Sequence, residues 1–171
     1  MAKSTAKLPK PTPARDTKGK MSRSDPGNVI GLDPAIKTGW AYVIDGQYVW
    51  GTVDPYDTQA MEAVIRDAVD HGVSTAYVED AYLAKHNVRT LKSLIRSQTR
   101  AVMACERYGV TVVMVPATVW QAAWSIHGKR ADRKQAAVLI AERIAPGKKT
   151  SDEADAVLIS EYGRCQSNRR F

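Results

Sequence analysis

Cysteine is scarce in this chain. Cys105 and Cys165 are the only two among 171 residues, too few and too far apart for a disulfide framework or a zinc site. Two reduced thiols fit a cytoplasmic protein. Histidine is as thin: His71, His86 and His127 show no HxxxH or Cys/His spacing, so no imidazole-bound transition metal is expected. The G-x-x-x-x-G-K-[ST] loop that cradles nucleotide phosphates is missing, which argues against nucleotide hydrolysis. No apolar run approaches the roughly 18 residues needed to cross a membrane, and the N-terminus lacks the apolar core of a signal peptide. A membrane partner is therefore not expected. No segment recurs along the chain, which excludes a solenoid.

What the chain does have is positive charge, unevenly spread. Its 25 Lys and Arg against 18 Asp and Glu leave a net +7. Seven of the basic residues and only two of the acids fall in residues 1–28, among Pro9, Pro11, Pro13 and Pro26 and with almost nothing to bury. That composition reads as a basic, disordered tail. It precedes one domain over residues 29–171, long enough for a real core. A basic tail on a nearly neutral body suits a polyanionic partner.

The body opens on Val29-Ile30-Gly31-Leu32-Asp33-Pro34, an apolar run with the look of a buried strand. Pro34 cannot continue a ladder, so Asp33 stands where the sheet stops. Asp45-Gly46, between Val43-Ile44 and Tyr48-Val49-Trp50, predicts a tight hairpin. Met61, Val64, Ile65, Ala68 and Val69 recur at helical spacing from Asp57 or Thr58 to a stop at Gly72. Thr75–Val78 predicts a second short strand, running into Glu79-Asp80.

The longest helix is expected from Val88 to Tyr108. Leu91, Leu94, Ile95, Ala101, Val102 and Cys105 gather on one side, and Arg89, Lys92, Arg96, Arg100 and Arg107 on the other. Such a basic face is either an ordinary solvated surface or one that lies along phosphates. Val110–Val115 predicts a strand ended by Pro116. Trp120 and Trp124, four apart on a short helix, are expected in the core. A basic loop from His127 to Lys134 then leads into a helix reaching Ile144, and Pro146-Gly147 breaks it. The last helix opens at Thr150-Ser151-Asp152-Glu153, where Thr150 and Glu153 match a capping box. Strands alternating with helices in this order predict an α/β domain, a mixed sheet with helices on its faces.

Three acidic positions stand out: Asp33 and Glu79 at strand ends, and Asp152 with Asp155 on one face of a helix start. Taken singly, each is more often a cap or a surface charge. If the two strands are neighbours, their acids emerge side by side and the helix can bring its pair against them. Four carboxylates so close repel strongly in a low dielectric unless positive charge sits among them. All-oxygen ligands suit Mg²⁺ or Mn²⁺. Two such ions about 4 Å apart can activate a water and stabilise the leaving oxygen of a phosphodiester.

These residues resemble a known family. Val29-Ile30-Gly31-Leu32-Asp33-Pro34 with Gly39, then Glu79-Asp80-Ala81-Tyr82-Leu83-Ala84-Lys85, then Asp152-Glu153-Ala154-Asp155-Ala156 are similar to the three acidic motifs of RuvC-type Holliday junction resolvases. That family has the RNase H-like fold, and the resemblance spans about residues 29–163. It implies a mixed five-stranded sheet flanked by helices. It also implies a homodimer that nicks opposed strands of a four-way DNA junction, with about two Mg²⁺ or Mn²⁺ ions per active site held by Asp33, Glu79, Asp152 and Asp155. Lys134 falls near a family lysine that assists at the phosphate, and Tyr82 where the family carries an aromatic that stacks on bases. Lys85, Arg89, Lys92, Arg96, Lys129 and Arg130 are the further candidates for DNA contact. Two departures bear on function. Ala35 stands where the family has glycine, and Trp120 occupies the place of a second functional lysine, whose role Lys129 or Arg130 is left to take.

The leading expectation is a metal-dependent, structure-selective DNA endonuclease that resolves Holliday junctions by paired nicks. A nuclease of the same fold acting on broader branched DNA or on hybrids is the alternative within that class. A non-catalytic nucleic-acid-binding protein is the alternative outside it, and the full set of four acids argues against that. Carboxylates facing phosphates add nothing to a pure binder.

Overall fold

The structure is a computed structural model that describes residues 28–80 and 88–168. The expectations placed on the basic tail up to Gly27, and on Tyr82 and Lys85, lie outside the described residues, as do residues 169–171. Five strands form one sheet: β1 (Val29–Asp33), β2 (Thr38–Ile44), β3 (Gln47–Val53), β4 (Thr75–Asp80) and β5 (Thr111–Pro116). The helices are α1 (Thr58–Asp70), α2 (Val88–Arg107), α3 (Ala117–Ala123), α4 (Arg130–Ile144) and α5 (Ser151–Asn168).

Strand order is β3-β2-β1-β4-β5. β1, β4 and β5 run parallel, and β2 is antiparallel to both β1 and β3. The expected mixed five-stranded sheet is therefore present. Asp45 and Gly46 both take positive φ, 50° and 79°, the geometry that the two-residue hairpin requires. Asp57 caps α1 by accepting from the Ala60 amide at 2.9 Å, which satisfies one of the otherwise unpaired N–H groups of the first turn.

Side-chain alternation along the strands divides the core into two layers. Ile30, Leu32, Ala76 and Val78 face α1 and α2 and pack with Met61, Ile65, Ala101 and Cys105. Val29, Tyr77 and Val115 face the other way, onto α5, Trp120 and the apolar side of α4. Ala154, Val157 and Leu158 of α5 pack inward and are fully buried. The capping box at the start of α5 forms as expected, with the Thr150 amide donating to Glu153 at 2.7 Å and the Glu153 amide to Thr150 Oγ1 at 3.3 Å.

Four local expectations need correcting. β4 does not stop at Val78, because its ladder with β5 continues through Glu79↔Val115 and Asp80↔Pro116. β5 itself begins at Thr111 and takes in Pro116. The basic stretch expected as a loop is helical from Arg130 onward, its first turn closed by the Arg133 amide donating to the Lys129 carbonyl at 3.0 Å. Ile95 does not join the core but stands 46% exposed. The buried strip of α2 runs instead through Ser97, Ala101, Ala104 and Cys105, small residues that let the helix approach the sheet and leave Ile95 at the edge.

Candidate active site

Register brings the first two acids together. Leu32 pairs with Val78 in the parallel β1–β4 ladder, so Asp33 and Glu79 follow one step later on adjacent strands. Glu79 shares the α5-facing side with Tyr77, whereas Asp80 points the other way and accepts from Gln98 of α2 at 3.2 Å. Parity thus selects Glu79 over its acidic neighbour. β2 supplies the second coordinate, since Asp33 pairs with Gly39 and the Gly39 backbone lies directly against the Asp152 carbonyl. The first turn of α5 is thereby seated over the end of β1.

Asp33 and Asp155 sense the other acids of the site. Burial holds Asp33 well above the usual carboxylate range, with Glu79, Asp155 and Asp152 adding to the rise and Lys134 opposing it. Asp155 is pushed up to about 7 by burial, then by Glu79 and Asp152, again against Lys134. Burial also raises Glu79, offset by a hydrogen bond from Trp120. Among the described residues none of the four has a salt-bridge partner. Nor, among those residues, do any three His, Cys, Asp or Glu side chains lie close enough to hold one ion as they stand. The site is a set of converging all-oxygen donors whose negative charge exceeds that of the one lysine beside it, and such a donor set suits a hard divalent cation.

Lys134 is the cation among them. Its Nζ donates to Ser151 Oγ at 3.1 Å, and Ser151 Oγ in turn donates to Asp152 Oδ1 at 3.0 Å. Gln121, Ile126, Arg130, Arg133, Lys134, Ala137 and Asp155 line a cleft of about 120 Å³. Arg133, Gln121 and Ile126 also line a second cleft of about 300 Å³ that reaches His127 and Gly128. The two clefts are neighbours, and Asp155 lines only the first. Lys129 is exposed at the N-cap of α4.

The remaining candidates stand elsewhere. Lys92 is exposed on α2, across the sheet from α5. Arg96 lines a cleft of about 390 Å³ between α1 and α2, beside Met61, Ile95, Arg100, Met103 and Arg107. Part of that basic face is already engaged: Arg107 pairs with Glu62, and Arg100 lies 4.8 Å over the Tyr56 ring. Arg89 belongs to the first turn of α2. The structure therefore brings Asp33, Glu79, Asp152, Asp155, Lys134 and Arg130 together and leaves Lys92 and Arg96 apart from them.

Sequence reasoning missed three participants. Arg133 and Gln121 enter only because α3 and α4 converge on α5. Trp120, expected in the core, is fully buried, and its indole Nε1 also donates to Glu79 Oε2 at 2.8 Å. The sequence did carry one signal for Arg133, its i,i+3 spacing from Arg130 on a helix face.

No protein-family model and no curated protein matches the chain by sequence. Among solved structures, RuvC of Thermus thermophilus in complex with a Holliday junction substrate superposes with a TM-score of 0.63 at 19% identity, covering 82% of this chain and 96% of that one. A second Thermus thermophilus RuvC structure gives 0.60 at 17% identity, covering 84% and 95%. The chain thus shares the α/β fold of these RuvC structures, the RNase H-like mixed five-stranded sheet flanked by helices.

Proposed function

We propose that this chain is a divalent-metal-dependent endonuclease that resolves four-way DNA junctions, acting as a homodimer that nicks two opposed strands. The observation that carries the proposal is the convergence of Asp33, Glu79, Asp152 and Asp155 at the C-terminal ends of β1 and β4, without a salt-bridge partner among the described residues. Further support comes from the fold, since one of the RuvC structures it matches was solved with a Holliday junction substrate.

In this proposal Asp33, Glu79, Asp152 and Asp155 would hold Mg²⁺ or Mn²⁺, two per site. The ions would supply activation of water and stabilisation of the leaving oxygen. Lys134 would meet a non-bridging oxygen of the scissile phosphate while its link through Ser151 keeps it near Asp152. Arg130, Arg133 and Gln121 would guide the flanking backbone along the cleft beside α4, with Lys129 at its mouth. Arginine suits that place because its planar fork matches phosphate oxygens in pairs. Tyr82, Lys85 and Arg89 enter on the resemblance of the sequence motifs alone. For the homodimer, support comes from the exposed apolar residues of α2: Val88, Ile95 and Met103 are 64%, 46% and 59% exposed.

The test is incubation of end-labelled four-way junction, flap, linear duplex and RNA–DNA hybrid with the protein and Mg²⁺ or Mn²⁺. Paired symmetric nicks in the junction, absent with EDTA and with Asp33→Asn, are expected. Preferential cutting of hybrid or flap would move the substrate elsewhere within the fold. Binding of the junction without cutting under every metal condition would overturn the enzyme assignment.

A further inference from the structure

Glu79 differs from the three aspartates of the site in reach. Its side chain has three torsions, and ordering such a chain costs rotamer freedom. Something must hold it if it is to present an oxygen in a fixed direction. The structure supplies one holder: Trp120 Nε1 donates to Glu79 Oε2 at 2.8 Å. The ring that carries this N–H is itself 0% exposed, in the core cluster with Val115, Ile126, Ala137 and Leu158.

A buried indole needs an acceptor, and any acceptor would satisfy it. Trp124, one turn later, takes the ordinary solution and donates to the Leu158 carbonyl at 3.2 Å. Trp120 instead points its donor at a carboxylate among carboxylates. The chemistry of that donor is informative. An indole N–H has one fixed direction and no charge, so it can orient Glu79 without neutralising it. With Oε2 engaged, Oε1 has no hydrogen-bond partner among the described residues and is the oxygen left for a ligand.

We propose that Trp120 is a positioning residue for metal binding, its indole N–H fixing Glu79 Oε2 so that Oε1 is presented to a divalent cation. This rests on the metal-dependent function proposed above, and it adds a partner outside the ligand set. Groups that orient metal ligands in this manner typically contribute about 10–100-fold in affinity.

The test is calorimetric titration of Mn²⁺ into the full-length protein without DNA. Trp120→Phe keeps an aromatic ring in the core and removes the N–H. It should unfold cooperatively yet bind Mn²⁺ about 10–100-fold more weakly than wild type, and Glu79→Gln should show a comparable or larger loss. A second readout needs no variant to fold: in wild-type protein the assigned Trp120 indole N–H resonance should shift on Mg²⁺ titration, while that of Trp50, on β3, stays in place. Unchanged Mn²⁺ affinity in Trp120→Phe, or an unmoved Trp120 resonance while amides near Asp33 and Asp155 shift, would overturn the positioning role and leave the metal-dependent function standing. If wild-type protein binds no Mn²⁺ at all, both fall together.

Discussion

Gly39 and Asp152 touch through their backbones: a Cβ built on Gly39 would lie 2.1 Å from the Asp152 carbonyl oxygen. Because Gly39 also pairs with Asp33, this one contact ties the β1 acid to the first turn of α5. Gly31 makes a similar approach two residues earlier on β1, where a Cβ would meet the Ala156 carbonyl at 2.3 Å. The helix thus rests on the sheet at glycine-width, and this seating fixes the distance between the acids.

Gly39→Ala should therefore damage the site more than a surface substitution would. The clash is with backbone on both sides, so no side-chain rotation relieves it, and overpacking of this kind costs typically 1–3 kcal/mol. The expected outcome is a lower Tm in thermal unfolding together with weaker Mn²⁺ binding. A variant with wild-type Tm and metal affinity would show that α5 can shift without consequence.

In divalent-free buffer, stability should rise on acidification. A carboxyl whose folded-state pKa is raised penalises the folded protein once it ionises. For Asp155, moved from 3.8 to about 7, the penalty grows between those values, is full above about 7 and vanishes below 3.8. Asp33 and Glu79 are shifted in the same direction and add to it. Tm should therefore increase from pH 7.5 towards pH 5, and Asp155→Asn should flatten the trend. Mg²⁺ should raise Tm at pH 7.5 and do so less at pH 5. A flat wild-type profile would contradict the crowding of these groups.

Arg133→Ala should weaken junction binding measured in Ca²⁺ and make the plot of log affinity against log salt shallower by about 0.9, the loss of one phosphate contact on duplex DNA. Arg66→Ala, on the exposed side of α1 across the sheet, is the matched control and should leave the slope unchanged. Equal slopes for both variants would remove the cleft beside α4 from the DNA path.

Met103→Lys should shift the protein towards monomer in sedimentation equilibrium. An exposed apolar side chain beside a cleft lined by Met61 and Ile95 is expected to be covered in a dimer, and a buried unpaired charge there is strongly disfavoured. Paired cutting of a junction should then break down into single nicks. A wild-type mass distribution for the variant would place the dimer contact elsewhere.

Much of this architecture is legible in the chain because it is local. A hairpin at Asp45-Gly46, a cap at Asp57, a capping box at Thr150 and Glu153, and an apolar strand ending at Asp33 each depend on a few adjacent residues with one preferred geometry. The acids can be nominated in the same manner, since strand ends and helix starts are where carboxylates stand clear of a core. The α2 residue Ile95 shows the limit: helical period placed Ala101 and Cys105 in the core, but which flank touches the sheet depended on the small side chains Ser97, Ala101 and Ala104.

Only the tertiary structure decided which acids meet and what stands beside them. The parallel β1–β4 register makes Asp33 and Glu79 neighbours, and strand parity sends Asp80 to the opposite face. Glycine contacts at Gly31 and Gly39 set the depth of α5, and the convergence of α3 and α4 on that helix brings in Gln121 and Arg133. Trp120 is the clearest case. Its apolar ring is enough to predict burial, but a hydrogen bond has direction, and no local pattern could aim its N–H at a carboxylate 41 residues away in the chain.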